Sequence, residues 1–172
     1  MKSYLMQEQL LTESFQTIAD ILNGTSSVSS IGMLTWDNPQ NLQLSKTENV
    51  ERAKELESKI KEFGLTFIPI QGKFNNVEDS YLILNPSVGE IISLIQEGDQ
   101  HSGIYGDVSR AYKPVFKMIL NNGSVDDIKY VWELRPDADD YYSVYKGVKF
   151  TIPFYESEFD NVKFNNDGSM SI

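Results

Sequence analysis

Two Ser-x-x-Glu pairs, Ser45 with Glu48 and Ser87 with Glu90, constrain this chain more than any other feature. In such a capping box the serine hydroxyl accepts from a backbone N–H in the helix's first turn. The glutamate reaches back to the serine's own N–H, so each pair marks a helix start. After Ser45 the apolar residues Val50, Ala53, Leu56, Ile60 and Phe63 fall on one stripe, with Glu and Lys opposite, and Gly64 ends the run. After Ser87 a shorter stripe of Ile91, Ile92, Leu94 and Ile95 runs to Gly98. Short apolar runs at 28–36, 65–70, 80–84 and 102–105 read as strands around these two helices. Asp37-Asn38-Pro39 closes the first strand, because proline has no N–H to give to a ladder.

The order over 28–106 is therefore β-α-β-β-α-β, the split arrangement of ferredoxin-like folds. It predicts an α+β core of two layers, both helices on one face of a sheet. An N-terminal helix is expected over 5–22, where Leu11, Phe15, Ile18 and Leu22 recur at helical spacing before Asn23-Gly24. Beyond the core, 115–120, 128–134 and 141–154 read as strands, the last bent into a hairpin at Lys146-Gly147. They are expected as a β extension (112–155) of a single domain spanning 1–155. The segment 156–172 is polar, acidic and rich in Asn and Gly, and reads as a loose arm.

Charge and composition exclude more than they select. A formal net charge of -10 repels phosphate backbones, so direct nucleic-acid binding is not expected. An acidic mimic of DNA is the converse possibility, but the acids between 46 and 62 alternate with lysines instead of forming one dense face. With no cysteine there is no disulfide, thiolate metal site or cysteine nucleophile, which fits a reducing, cytoplasmic setting. No run approaches the roughly 20 apolar residues of a membrane helix, and residues 1–11 show no signal-peptide pattern. Neither a membrane nor a cofactor is expected.

Phosphate-binding glycine loops, the zinc-protease H-E-x-x-H and the hydrolase G-x-S-x-G are absent. His101, the sole histidine, lies in a loop and reads either as exposed or as a site residue. Glu78-Asp79 and the group Asp137, Asp139 and Asp140 could bind a divalent ion, but neither has the spacing of a calcium loop, and no metal site is assigned. A richer constellation is Thr35, Asn38, Ser45, Asn49, Arg52, Lys73 and Ser80, at the ends of one strand, one helix and one hairpin. Such ends can converge, and a helix N-terminus with Arg52 and Lys73 would suit an anion. The same residues serve equally as caps and turns.

Residues 31–106 resemble a family of small bacterial and phage proteins, a domain of unknown function. The resemblance is carried by Thr35-Trp36-Asp37-Asn38-Pro39, Ser45-Lys46-Thr47-Glu48-Asn49-Val50-Glu51-Arg52, the strand from Gly64 to Gly72 with Pro69, and Glu78-Asp79-Ser80. After 110 the chain is similar to the longer members found in tailed phages. The resemblance implies a phage or bacterial origin, hence the host cytoplasm or the virion, and implies no activity. The expected function is thus a non-catalytic binding or accessory protein, in counter-defence or in the virion. It would contact a protein partner or a small anionic ligand through the 35–80 patch. The alternative is a small hydrolase or phosphodiesterase using Glu78 or Asp79 as base, His101 as acid and Arg52 as clamp.

Overall fold

A computed structural model describes residues 2–74, 76–128, 132–152, 163–164 and 170–171, with side chains described over 12–73, 76–128 and 132–152. In chain order the elements are α1 (Lys2–Leu22), β1 (Ser30–Leu34), a 3-10 turn (Pro39–Asn41), α2 (Lys46–Glu62), β2 (Thr66–Phe74) and β3 (Asn76–Leu84). There follow α3 (Val88–Glu97), β4 (Ser102–Asp107), β5 (Val115–Leu120), β6 (Val125–Ile128), β7 (Glu133–Leu134), β8 (Tyr142–Tyr145) and β9 (Val148–Thr151). Two short strands, β10 (Lys163–Phe164) and β11 (Met170–Ser171), pair with each other. They are all that is described of the segment read as a loose arm.

Both capping boxes form. Ser45 and Ser87 accept from the N–H groups of Glu48 and Glu90, whose carboxylates accept in return from the serine N–H groups. The hairpin at Lys146-Gly147 also forms, with both residues at positive φ, as a two-residue turn of primed type requires. The region 71–77, read as a turn, is instead strand: β2 runs to Phe74 and β3 starts at Asn76, so Glu78 and Asp79 lie inside β3.

The expected two-layer, ferredoxin-like architecture is not what forms. Nine strands make one antiparallel sheet in the order β6-β5-β4-β1-β3-β2-β8-β9-β7, and the sheet is curled into a half-barrel. The physical reason lies at the edges. A four-stranded core would leave β4 and β2 with open rows of backbone N–H and C=O groups, which exposed edges do not tolerate well. β5 pairs along β4 through six residue pairs, and β8 pairs along β2 from Gln71 to Lys73. The expected extension is therefore both wings of the sheet.

The faces are also both covered. On one, α2 and α3 bury Ala53, Leu56, Ile60, Ile91, Leu94 and Ile95 against Leu34, Tyr81 and Ile83. Helix α3 lies so close to β1 that a Cβ on Gly32 would overlap Ile91 Cδ1. On the other face, Ile18, Ile21 and Leu22 of α1 pack on Ile31, Met33, Leu82 and Ile104. Phe116 from one wing and Phe150 and Ile152 from the other join the same cluster. The sheet curls around α1 because residues from both wings reach that one helix.

Candidate functional site

The residues expected to form an anion site do not gather in one place: Arg52 and Lys73 lie apart from Thr35 and Ser80. Ser45 is spent on its capping box. Asn38 adopts φ 47°, a left-handed conformation that asparagine tolerates better than most residues. Its backbone N–H donates to Asn49 Oδ1 (3.0 Å), and its Oδ1 accepts from Leu44 N and Asn49 Nδ2. These contacts fix the loop between β1 and α2. Arg52 donates from Nε to the carbonyl of Trp36 (2.6 Å) and from a terminal nitrogen to the carbonyl of Gly98. It thereby ties the end of β1 to the end of α3. Lys73 donates to the carbonyl of Asp139 (2.6 Å), in the loop before β8. Thr35, Arg52 and Lys73 thus serve three different places.

What does converge lies on the α1 side, at one end of the curled sheet. A cavity of about 80 Å³ is lined by Thr35, Glu78, Ser80, His101, Ser102 and Ser143, with Asn41 and Gln100 at its rim and Met33 and Ile104 among its apolar lining. Register explains the opening. Gly72 of β2 sits between Glu78 of β3 and Ser143 of β8 in one cross-strand row. Strand spacing puts the two flanking Cβ atoms about 10 Å apart, and glycine places no side chain between them. Ser80 follows two residues along β3 on the same face.

Beyond Leu34–Tyr81 the β1–β3 ladder is continued by side chains. Thr35 Oγ1 donates to the carbonyl of Asp79 (2.6 Å), and Asp37 Oδ2 accepts from Asp79 N–H (3.0 Å). Asp37 is buried, and its Oδ1 has no partner among the described residues. Burial raises its carboxyl to about 6, with the Asp79 charge pushing the same way and the Asp79 N–H and Arg52 opposing. Glu78 is likewise raised by burial. Asn38 Nδ2, donating to Glu78 Oε1 (2.8 Å), pulls it back, and the Asp37 charge adds to the rise.

The hydroxyls of Ser80, Ser102 and Ser143 and the imidazole of His101 take no hydrogen bond among the described residues. Ser80 and Ser143 are only 7% and 5% exposed. What little surface these two serines keep opens on the cavity, so water or a ligand there can complete the bonding of their hydroxyls.

Of the residues anticipated from sequence, Thr35, Glu78, Ser80 and His101 meet in this cavity. Ser102 and Ser143 were not anticipated; Asp37 and Gly72 lie within segments read from sequence as turns. Ser143 and Gly72 carried a weak signal, small residues inside otherwise bulky strands, but nothing local showed that they would be neighbours. Among the described residues no group of three or more His, Asp or Glu is arranged to hold a metal ion, and no helix is long and apolar enough to cross a membrane.

No protein-family model matches the chain, and no curated protein is significantly similar to it. The resemblance of residues 31–106 to the bacterial and phage family rests on its motifs alone.

Proposed function

We propose that this is a non-catalytic binding protein whose cavity between β1, β3, β4 and β8 takes one end of a small polar molecule that is not an anion. One observation carries the reading: the Ser80, Ser102 and Ser143 hydroxyls, from three separate strands, face one cavity and take no hydrogen bond among the described residues. Such convergent polar groups in a largely preformed concavity are what small-molecule sites are built from. The anion originally expected loses its support, because Arg52 and Lys73 are bound to backbone carbonyls and neither lines the cavity. The motif resemblance would make such a binder an accessory protein of a phage, acting in the host cytoplasm or in the virion.

The test is a ligand-observed NMR screen against small neutral, cationic and anionic polar compounds, repeated with Ser143→Leu, which fills the cavity. Binding by the parent protein and its loss in the filled variant is the expected result. Equal binding by both would place the ligand elsewhere and end this reading.

A hydrolytic role has one observation in its favour: Glu78 and His101 line the same cavity. Asp79, however, contributes only its backbone to the Thr35 and Asp37 contacts, and the intended clamp, Arg52, is tied to Trp36 and Gly98. Turnover of a phosphodiester or ester panel, lost in both Glu78→Gln and His101→Asn, would replace the binding reading with the catalytic one.

A further inference from the structure

The proposed cavity also discriminates among ligand charges. Resting on the binding reading above, we infer that the group seated in it is a primary ammonium. Among the described residues Glu78 is the one carboxylate in the lining, and no described lysine or arginine lines the cavity. Asp37 stands behind Glu78, close enough to act on it by charge. The chain as a whole carries a net charge of -10, which draws cations toward any acidic concavity.

The shape of the acceptor set then separates one kind of cation from another. Glu78 Oε1 already accepts from Asn38 Nδ2 (2.8 Å), which leaves Oε2 as the less encumbered oxygen for a ligand. A guanidinium would want both oxygens for its two parallel N–H donors. An ammonium has three donors that can point in three directions. Oε2 and the hydroxyl oxygens of Ser80 and Ser143 take no hydrogen bond among the described residues and offer three acceptors around one space; the two serines are more than nine-tenths buried and Glu78 is half-buried. A quaternary ammonium needs aromatic faces, and among the described residues no Phe, Tyr or Trp lines the cavity. A hard metal ion needs several oxygen ligands, usually with more than one carboxylate; among the described residues no such group exists. With about 80 Å³ enclosed, the cavity holds the ammonium and its first carbons. The remainder of the ligand lies at the open rim beside Asn41 and His101.

The experiment is calorimetric and NMR titration of the full chain at low ionic strength with ethanolamine, tetramethylammonium, methylguanidinium, ethylene glycol and acetate. Ethanolamine is expected to bind at least tenfold more tightly than each of the others. Glu78→Gln and, independently, Ser143→Val are each expected to weaken ethanolamine by tenfold or more while both variants keep the parent's amide NMR fingerprint. Two variants on separate strands guard against one of them failing to fold. If ethylene glycol binds as well as ethanolamine, or Glu78→Gln leaves ethanolamine unchanged, the ammonium assignment is overturned while the cavity remains a binding site. If no probe of any class shifts a cavity resonance, both the assignment and the binding reading fall.

Discussion

The junction between β1, α2 and α3 and the cavity on the opposite face use the same kinds of polar residue to opposite ends. At the junction, Arg52 meets two carbonyls, Trp36 Nε1 donates to the carbonyl of Leu94 (2.8 Å), and Gln100 Nε2 donates to the carbonyl of Asp37. A Cβ on Gly98 would strike the Trp36 indole, so here the polar side chains are engaged by backbone carbonyls and the packing at Gly98 is close. At the cavity, three serines and a histidine take no hydrogen bond among the described residues, and Gly72 puts no side chain into the row between Glu78 and Ser143. Saturated polar groups hold a fold together; unsaturated ones that face a shared space wait for something to bind. An arginine in a promising sequence motif is not thereby available to a ligand.

The comparison breaks first at Arg52. If its bonds to Trp36 and Gly98 are structural, Arg52→Ala lowers stability by about 2–4 kcal/mol, seen as a fall in the urea midpoint. A stable Arg52→Ala protein would return Arg52 to the list of candidate ligand contacts.

Asp37→Asn is the next largest change, and it acts in the other direction. The Asp37 carboxyl titrates near 6 in the fold against its ordinary 3.8. The folded state therefore binds this proton more tightly than the unfolded chain. The resulting stability is complete below about pH 3.8 and is lost as pH rises through about 6. Glu78, also raised, acts in the same sense. The asparagine variant keeps an acceptor for the Asp79 N–H and removes the buried charge. It is expected to be more stable than the parent at pH 8 by about 1–3 kcal/mol, with the gap closing toward pH 4. Melting curves between pH 4 and 8 measure both; a constant gap across that range would show that Asp37 does not titrate as the buried geometry implies.

Smaller still are Ser80→Ala and Ser143→Ala. Removing hydroxyls that have no protein partner is expected to change stability by no more than about 0.5 kcal/mol. Ethanolamine binding should nevertheless weaken in both. A loss of several kcal/mol would mean that these hydroxyls are structural and that the contrast between the two regions fails. Lys73→Met should do least of all, below about 0.5 kcal/mol and with ligand binding intact, since its ammonium serves only the Asp139 carbonyl at the protein surface.

The parts of this protein legible in its sequence are those built from neighbours along the chain. A capping box joins residues three apart, so the starts of α2 and α3 could be read directly, as could the positive-φ turn at Lys146-Gly147. Strand β5 was legible for the same reason: its apolar run is bounded by Pro114 on one side and Asn121-Asn122-Gly123 on the other. Two features near β1 also point beyond a two-layer core. Ile31 and Met33 on one face and Leu34 on the other are all buried, the signature of a strand covered on both sides, and α1 carried an apolar stripe with no assigned partner.

What the sequence by itself determined was the set of elements and several of their ends, because hydrogen bonds within one turn or one hairpin need no other part of the chain. The tertiary structure alone decided that β5 and β8 extend the sheet from opposite edges, that it curls around α1, and that Ser80, Ser102 and Ser143 share a cavity with Glu78. Strand pairing is set by open edges finding partners far along the chain and by a register in which one residue's slip turns every side chain to the other face. No local pattern encodes which edge meets which strand, so the cavity exists only once the sheet has closed.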